Sequence, residues 1–319
     1  MTPPAIESIP LTVVARNEER AIGACLDSLL RSARAAEKLL PLRFELLLVL
    51  DECTDGTRAL AEARAVRCVE SRGGKVEGQR RGVRPGAPFH IFADADILLD
   101  EEALAGLCRE MLDDPRLLVA FPRLAPLPPR RRTPLARALH VYNLRRGFSS
   151  QRSWFNGRLF ALRGVELPSR EELAGRARGA HLSRFHDSGA QLLAEDILLS
   201  RRAQMLGGPA ALRESSSGVV RYRAPETLRG MYRHYRRLRR ELHRTDALFP
   251  ETRAIHAQTG SRRADLLAAA PLAEKLAWVL FQLALLGCRG MLALEKIWID
   301  RGRAPLPDPW PAIEETKEL

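Results

Sequence analysis

The stretch HIFADADILLD, residues 90–100, decides how the chain is read. Residues 90–93 read as a short buried strand, which ends in two aspartates, Asp94 and Asp96, with only Ala95 between them. Residues two apart in an extended segment point to the same side, so the two carboxylates meet at one spot and repel. Two readings stand open. One is a solvated loop ahead of a helix, which suits Asp100, Glu101 and Glu102, with Asp100 as N-cap and acids in the first turn. The other is a divalent cation, because Mg²⁺ and Mn²⁺ are hard ions that take carboxylate oxygens.

Upstream, LTVVA at residues 11–15 is a continuous apolar run with β-branched residues, the mark of a buried strand. Asn17 precedes a helical pattern carrying Ile22, Cys25, Leu26, Leu29 and Leu30. A second strand, residues 44–50, ends in the polar turn DECTDGT. A helix near 58–65, a short strand near 66–70, the Gly73–Gly74 turn and a helix from Lys75 lead back to residue 90. Strands alternating with helical stretches predict βαβ units and a mostly parallel sheet. Ligands of such sheets bind beyond the carboxyl ends of the strands. Arg16, Asp51 and Asp94 each stand just past a strand end, so three strand ends aim at one crevice.

Downstream, the pattern predicts a helix over 101–112, a strand over 117–122 and a Pro/Arg break over 125–134. A strand with an internal turn follows over 153–164. Residues 175–189 are polar and contain glycines, and read as a mobile loop over the crevice. Residues 192–208 read as a helix with Glu195 and Asp196 near its start. Past 226 the character changes, to a strongly basic helix over 229–242 and then an uncharged, mostly apolar run over 276–288.

With 319 residues, 45% hydrophobic and 28% charged, the chain is globular and long enough for one large α/β domain with an appendage. Its net charge of +12 favours anionic partners: nucleic acid, an anionic membrane surface or phosphorylated substrates. The cysteines, Cys25, Cys53, Cys68, Cys108 and Cys288, are odd in number and form no C-x-x-C pair. That argues against a disulfide framework or a zinc ribbon, and for a reducing compartment. The opening residues lack the basic and apolar regions of a signal peptide, so a cytoplasmic location is expected.

In this order the pieces resemble the family 2 glycosyltransferases, which have the GT-A fold. VVARNEE (13–19) is similar to the family's opening strand and nucleotide-contacting turn, and LDECTDGT (50–57) to the second strand end, whose aspartate meets the nucleobase. GGKVEGQRRG (73–82) is similar to the Gly-Lys helix start, and DAD (94–96) to the family's D-x-D. FNGRLFALRG (155–164) looks like the acceptor-side strand, and AEDILLSRR (194–202) the segment holding the catalytic base. The resemblance spans roughly residues 9–240.

It implies an α/β, GT-A type fold: a mostly parallel central sheet flanked by helices, with a C-terminal helical extension. Residues 1–225 would be the catalytic domain, with a donor half at 9–125 and an acceptor half at 126–225. Residues 226–319 would be the extension, basic and then apolar. It further implies that Asp96 holds a divalent cation, Mn²⁺ or Mg²⁺, while Asp94 contacts the ribose or the metal shell. Asp196 would be the catalytic base, with Glu195 beside it. On their own these two acids are equally read as compensating a helix dipole; with a D-x-D upstream, base and metal site together supply the roles that transfer requires. Arg16, Glu18, Asp51 and Lys75 would contact a UDP- or GDP-sugar.

The chemistry of these residue types agrees. A carboxylate at Asp51 can accept from the imide N–H of uracil or the N1–H and N2 donors of guanine. Lys75 stands at a helix start behind two glycines, a position suited to anions, although a solvated lysine would look the same. A single base opposite the leaving group implies inversion, as in glycoside hydrolases. The family's processive members carry a Q-x-x-R-W motif near residues 231–240, where this chain has no tryptophan, so transfer of a single sugar is expected. His181 and His186 are spaced to share no helical face and read as loop residues near the acceptor. His234, His243 and His256 are candidates to complete the metal shell.

Two other classes compete. A nucleotidyltransferase of similar fold would open with a G-x-G-T-R loop, which is missing after Leu11. A non-enzymatic binder would explain the arginines of 229–242, but not Asp94, Asp96, Glu195 and Asp196, and a basic helix alone argues little for nucleic acid. The apolar run 276–288 is shorter than the ~20 residues that span a bilayer. It would pack on the catalytic domain, across a homodimer, or on an anionic membrane surface with Trp278 and Trp298 at headgroup level. The last would suit a lipid-linked acceptor rather than a free saccharide.

Overall fold

Strand β1 (Ile9–Ala15) has all of its residues buried, as a strand covered on both faces must. In the computed structural model, which describes residues 8–147, 155–187, 191–255, 270–305 and 313–319, it lies within the sheet's parallel half. β2 (Phe44–Asp51) and β4 (His90–Asp94) pair with it in parallel on either side, and β3 (Arg67–Ser71) pairs with β2. Helices α1 (Ile22–Leu39), α2 (Thr57–Glu62) and α3 (Lys75–Arg81) connect these strands. α1 buries Ile22, Cys25, Leu26, Leu29, Ala33 and Ala36, the three-and-four spacing of one helical face. The carboxyl ends of β1, β2 and β4 therefore lie side by side.

The second half of the sheet adds the antiparallel pairings. β7 (Leu159–Leu162) runs against β4, and β6 (Val119–Pro126) against β7. β8 (Leu212–Tyr222) is parallel to β6 and antiparallel to β5 (Ile97–Leu99). The full order is β3-β2-β1-β4-β7-β6-β8-β5. β5 begins directly after Asp96, yet it pairs at the far end of this order from β4's neighbours. The D-x-D thus forms the crossing between two parts of one curled sheet. Phe92, Phe121, Phe155 and Phe160 fill the core beneath it.

Several expectations need correction. Asp100 is not the N-cap of α4 (Ala103–Asp113); Glu102 takes that position, without a side-chain cap. Asp100 still belongs to the β5–β8 ladder, its N–H donating to the Val219 carbonyl at 3.0 Å, and its carboxylate pairs with Arg221. The loop expected over 175–189 starts as helix, α6 (Arg170–Gly179). Ser169 caps it by accepting the Glu172 N–H at 3.0 Å, a Ser-x-x-Glu start that overrides the two glycines. α5 (Pro134–Gly147) follows the Pro/Arg break, with proline at its first position.

α7 (Glu195–Gly207) begins at the two candidate acids, and α8 (Leu228–Leu248) is the basic helix, capped by Thr227. The apolar run 276–288 is the middle of α9 (Leu272–Asp300), 29 residues long and, by length and composition alone, sufficient to cross a membrane. Beyond the run, Glu295 pairs with Arg236 at 2.5 Å and with the Tyr232 hydroxyl, and Lys296 with Asp300. One face of α9 packs on α5 and α8 through Ala277, Phe281 and Cys288, with Phe281 stacked on Tyr142 at 3.7 Å between ring centres.

Candidate active site

Where β1 ends, the chain turns through Arg16, Asn17 and Glu18. Asn17 adopts a left-handed conformation (φ 53°), which asparagine tolerates better than most residues. Its side-chain oxygen accepts the Thr54 N–H at 2.8 Å, and the Glu18 N–H donates to Thr57 Oγ1 at 2.8 Å. The first turn is thereby fastened to the loop after β2. Arg16 reaches across to Asp51 (3.6 Å) and Glu52 (3.2 Å). Asp51 is fully buried next to Arg16. Its Oδ1 accepts the Gly74 N–H at 3.1 Å, while Oδ2 has no hydrogen bond among the described residues. Burial raises the pKa of this carboxyl above the usual aspartate value, against the pull of Gly74 and Arg16.

Gly74 takes φ 85°, a conformation that favours glycine, and so starts α3 with Lys75 facing inward. Lys75 is not a solvated lysine. Its ammonium lies 2.6 Å from Asp94 Oδ1, 2.8 Å from Glu195 Oε1 and 3.2 Å from the Gly157 carbonyl. Burial opposes its charge, but Asp94 and Glu195 prevail and raise its pKa. Glu195 Oε1 also accepts from Gln79 Nε2 at 3.0 Å, and burial pushes Glu195 up to about 7. Asp196 is held by the Gly157 N–H on Oδ2 (3.1 Å) and the Ile197 N–H on Oδ1 (3.0 Å), and burial raises it too.

These residues line two connected cavities. The larger, about 310 Å³, is lined by Asn156, Gly157, Glu195, Asp196, Arg201 and His234, among others. The smaller, about 120 Å³, is lined by Arg16, Glu18, Asp94, Asp96, Arg158 and Lys317. Lys75, Asp94, Arg158, Leu193, His234 and Arg237 line both, so the two are ends of one crevice. Of the sequence candidates, Arg16, Glu18, Lys75, Asp94, Asp96, Glu195 and Asp196 line one end or the other, while Asp51 lies outside both linings.

Sequence reasoning missed Arg158, Arg237 and Lys317. Arg158 stands 3.5 Å from Asp96 Oδ1 and lies 4.0 Å over the Tyr222 ring; its position in FNGRLF gave no sign of this. Among the histidines, His234 lines the crevice, but His186 and His243 stack on each other at 3.8 Å and line neither cavity. Burial lowers His186 to about 4. His181 is exposed, and His256 lies outside the described residues.

Among the described residues, no three His, Cys, Asp or Glu side chains form a ready-made cation cage. The donors at the smaller cavity are nevertheless of the right kind. Burial, then Asp96, pushes Glu18 up to about 8, with Asp94 adding to it, and burial raises Asp96, with Asp94 adding again. Burial is the chief cause of both shifts, and a hard divalent ion would favour the ionised carboxylates against it. Such an ion commonly takes one or two protein carboxylates and completes its shell with phosphate oxygens and water, so Asp94 and Asp96 fit it.

Residues 11–164 match the family model described as Glycosyl transferase family 2. Solved structures similar to this chain include mannosyltransferase PcManGT from Pyrobaculum calidifontis in complex with GDP-Man and Mn²⁺, at 21% identity and TM-score 0.47, covering 93% of this chain and 81% of that one. Another is glucosyl-3-phosphoglycerate synthase from Mycobacterium tuberculosis in complex with Mn²⁺, UDP-glucose and phosphoglyceric acid, at 18% identity and TM-score 0.45, covering 76% of this chain and 80% of that one. No curated protein matches the chain.

Proposed function

We infer, from the glycosyl transferase family 2 domain that residues 11–164 form, that this glycosyltransferase moves a single sugar, with inversion, from a UDP- or GDP-sugar to an acceptor hydroxyl with the help of Mn²⁺ or Mg²⁺. The observation that carries the reading is the Lys75 bridge, which ties the D-x-D to the first turn of α7 in one crevice. The nucleotide sits at the smaller cavity. Arg16 moves off Asp51, whose unbonded Oδ2 accepts from the base. Asp96 and Asp94 hold the ion, which when bound supplies Lewis-acid stabilisation of the departing diphosphate.

The acceptor enters the larger cavity and Asp196 takes the proton of its hydroxyl. Asp196 is suited to this because backbone N–H groups fix its carboxylate and burial brings its pKa nearer to neutrality. Glu195, held by Lys75 and Gln79, keeps that ammonium in place beside it. One base acting opposite the leaving group gives inversion. The lack of tryptophan around residues 231–240 supports release after one transfer. In this reading residues 1–225 are the catalytic unit, with its donor half at 9–125 and acceptor half at 126–225, and 226–319 are its extension.

The exposed face of α9 supports attachment to the cytoplasmic surface of an anionic membrane, and so a lipid-linked acceptor. Leu272, Leu276, Val279, Leu283, Leu286 and Leu294 are each more than half exposed, and no charge interrupts their stripe. At 1.5 Å per residue the helix is about 40 Å long, and a stripe about 10 Å wide covers about 400 Å². A stable dimer takes about 800 Å² from each partner, so this face is too small for one by itself. Exposed Lys275 and Arg289 flank it, which suits anionic headgroups.

The reaction is tested without knowing the acceptor, by letting water take its place. NMR of UDP- and GDP-sugars incubated with the protein and Mn²⁺ is expected to show slow nucleotide release, the free sugar appearing first in the inverted anomeric form. Retention, or no release from any donor, contradicts the proposal.

A further inference from the structure

We propose that residues 313–319 are a working part of the donor site, and that Lys317 is the positioning residue that sets the turn at Arg16, Asn17 and Glu18 for the nucleotide. The inference rests on the donor-site reading above. The chain returns to its first strand about 300 residues later. An ammonium has three hydrogens to donate. Lys317 places its own on the Arg16 carbonyl (2.8 Å), the Asn17 carbonyl (2.7 Å) and Glu18 Oε1 (2.8 Å). The tail is fastened independently of this contact. Ile313 is buried, and Glu315 Oε1 accepts from Thr227 Oγ1 at 3.0 Å and from the Glu226 N–H at 3.2 Å. A Cβ on Gly230 would collide with that carboxylate, so the glycine in α8 leaves space for it. Glu318 pairs with Arg20 at 3.2 Å and with Arg130, and its carbonyl accepts from Arg223 Nε at 3.2 Å. Leu319 packs against the core.

The tail also forms the cavity wall, where Ile313, Thr316 and Lys317 face Arg16, Glu18, Asp94 and Asp96. With its hydrogens already engaged, Lys317 acts on the donor through the turn. Without it, two main-chain carbonyls lose their donor, and the Arg16 backbone is free to shift relative to Asp51. Glu18 Oε1 would also lose the ammonium that holds it at 2.8 Å on the wall shared with Asp94 and Asp96, where a diphosphate has to approach. Both effects act at the donor end of the crevice. Asp196 lines the other end.

The test compares the unaltered protein with Lys317→Met, Lys317→Arg and Glu315→Gln. Calorimetry with UDP and GDP in Mn²⁺ is paired with the donor KM and kcat. Lys317→Met is expected to weaken nucleotide binding and raise the donor KM by about tenfold, with kcat within about a factor of two. Lys317→Arg should restore most of the affinity, because the charge returns on a long flexible side chain. Glu315→Gln, which loosens the tail but keeps the ammonium, should fall between. Unchanged or tighter nucleotide binding in Lys317→Met, or a fall in kcat alone, overturns the inference while leaving the donor site standing. If the unaltered protein binds neither nucleotide, the donor-site reading fails and the inference falls with it.

Discussion

Asp94 and Glu195 flank a single ammonium, Lys75 Nζ, at 2.6 and 2.8 Å. One carboxylate closes β4 and the other opens α7, so the contact joins the parallel half of the sheet to the far wall of the crevice. Taking away one partner of a buried ion pair leaves charge uncompensated and costs about 3–5 kcal/mol. Lys75→Met is therefore expected to lower the urea midpoint substantially and to abolish turnover together. A variant with native stability would show that the two acids do not depend on the ammonium.

Asp196→Asn keeps the shape of the side chain and removes its ability to take a proton. A positioned general base contributes roughly 10²–10⁴-fold, so kcat should fall by that factor. Nucleotide affinity, measured at the other end of the crevice, should stay within about a factor of two. Near-native kcat would reduce Asp196 to a helix-start residue.

Glu18 ties stability to pH. Its carboxyl titrates near 8 in the fold against 4.5 for an ordinary glutamate, because of burial and then Asp96, with Lys317 opposing. The folded state holds the proton more tightly, so this contribution is complete below about pH 4.5 and is lost as pH rises towards 8. Each tenfold gain in proton affinity is worth about 1.4 kcal/mol, so the loss is on the order of a few kcal/mol. Urea unfolding of the protein without nucleotide or ion should show stability falling over this range, and Glu18→Gln should flatten the fall. Identical pH profiles for the two proteins would contradict the assignment.

The α9 face predicts binding to vesicles. Co-sedimentation with anionic liposomes should be strong at low salt and fade as salt screens the arginines and lysines, at about 1 kcal/mol for each basic residue near the surface. Leu276→Glu with Leu283→Glu should abolish it without altering donor hydrolysis in solution. Indifference to anionic vesicles at low salt would leave this face without a membrane role.

Much of the frame is legible in the sequence, for a physical reason. β1, β2 and β4 are apolar runs because both faces of a parallel sheet are covered, and the strand ends carrying Arg16, Asp51 and Asp94 do converge. β8 was not legible. Its LRESSSGVVRY is polar, and its burial follows no strict alternation. β5 spans only Ile97–Leu99, too short to carry a pattern. Within the crevice, Asp94 and Asp96 line one cavity as the strand alternation predicts, although a bend at residues 95–96, between β4 and β5, and not a continuous strand brings them there. The counter-ions do not follow from that alternation. The Gly-Gly helix start marks Lys75 as a candidate without giving its partners Asp94 and Glu195, whereas Arg158 and Lys317 are two cations among 51 lysines and arginines, and only the folded chain selects them.

The central claim, a nucleotide diphosphate held through an ion on the D-x-D, is tested most directly by calorimetry of UDP and GDP with and without Mn²⁺, on the unaltered protein and on Asp96→Ala. The account predicts that one nucleotide binds tightly only when the ion is present, and that Asp96→Ala loses this ion dependence and most of the affinity. Ion-dependent affinity that survives intact in Asp96→Ala would contradict it.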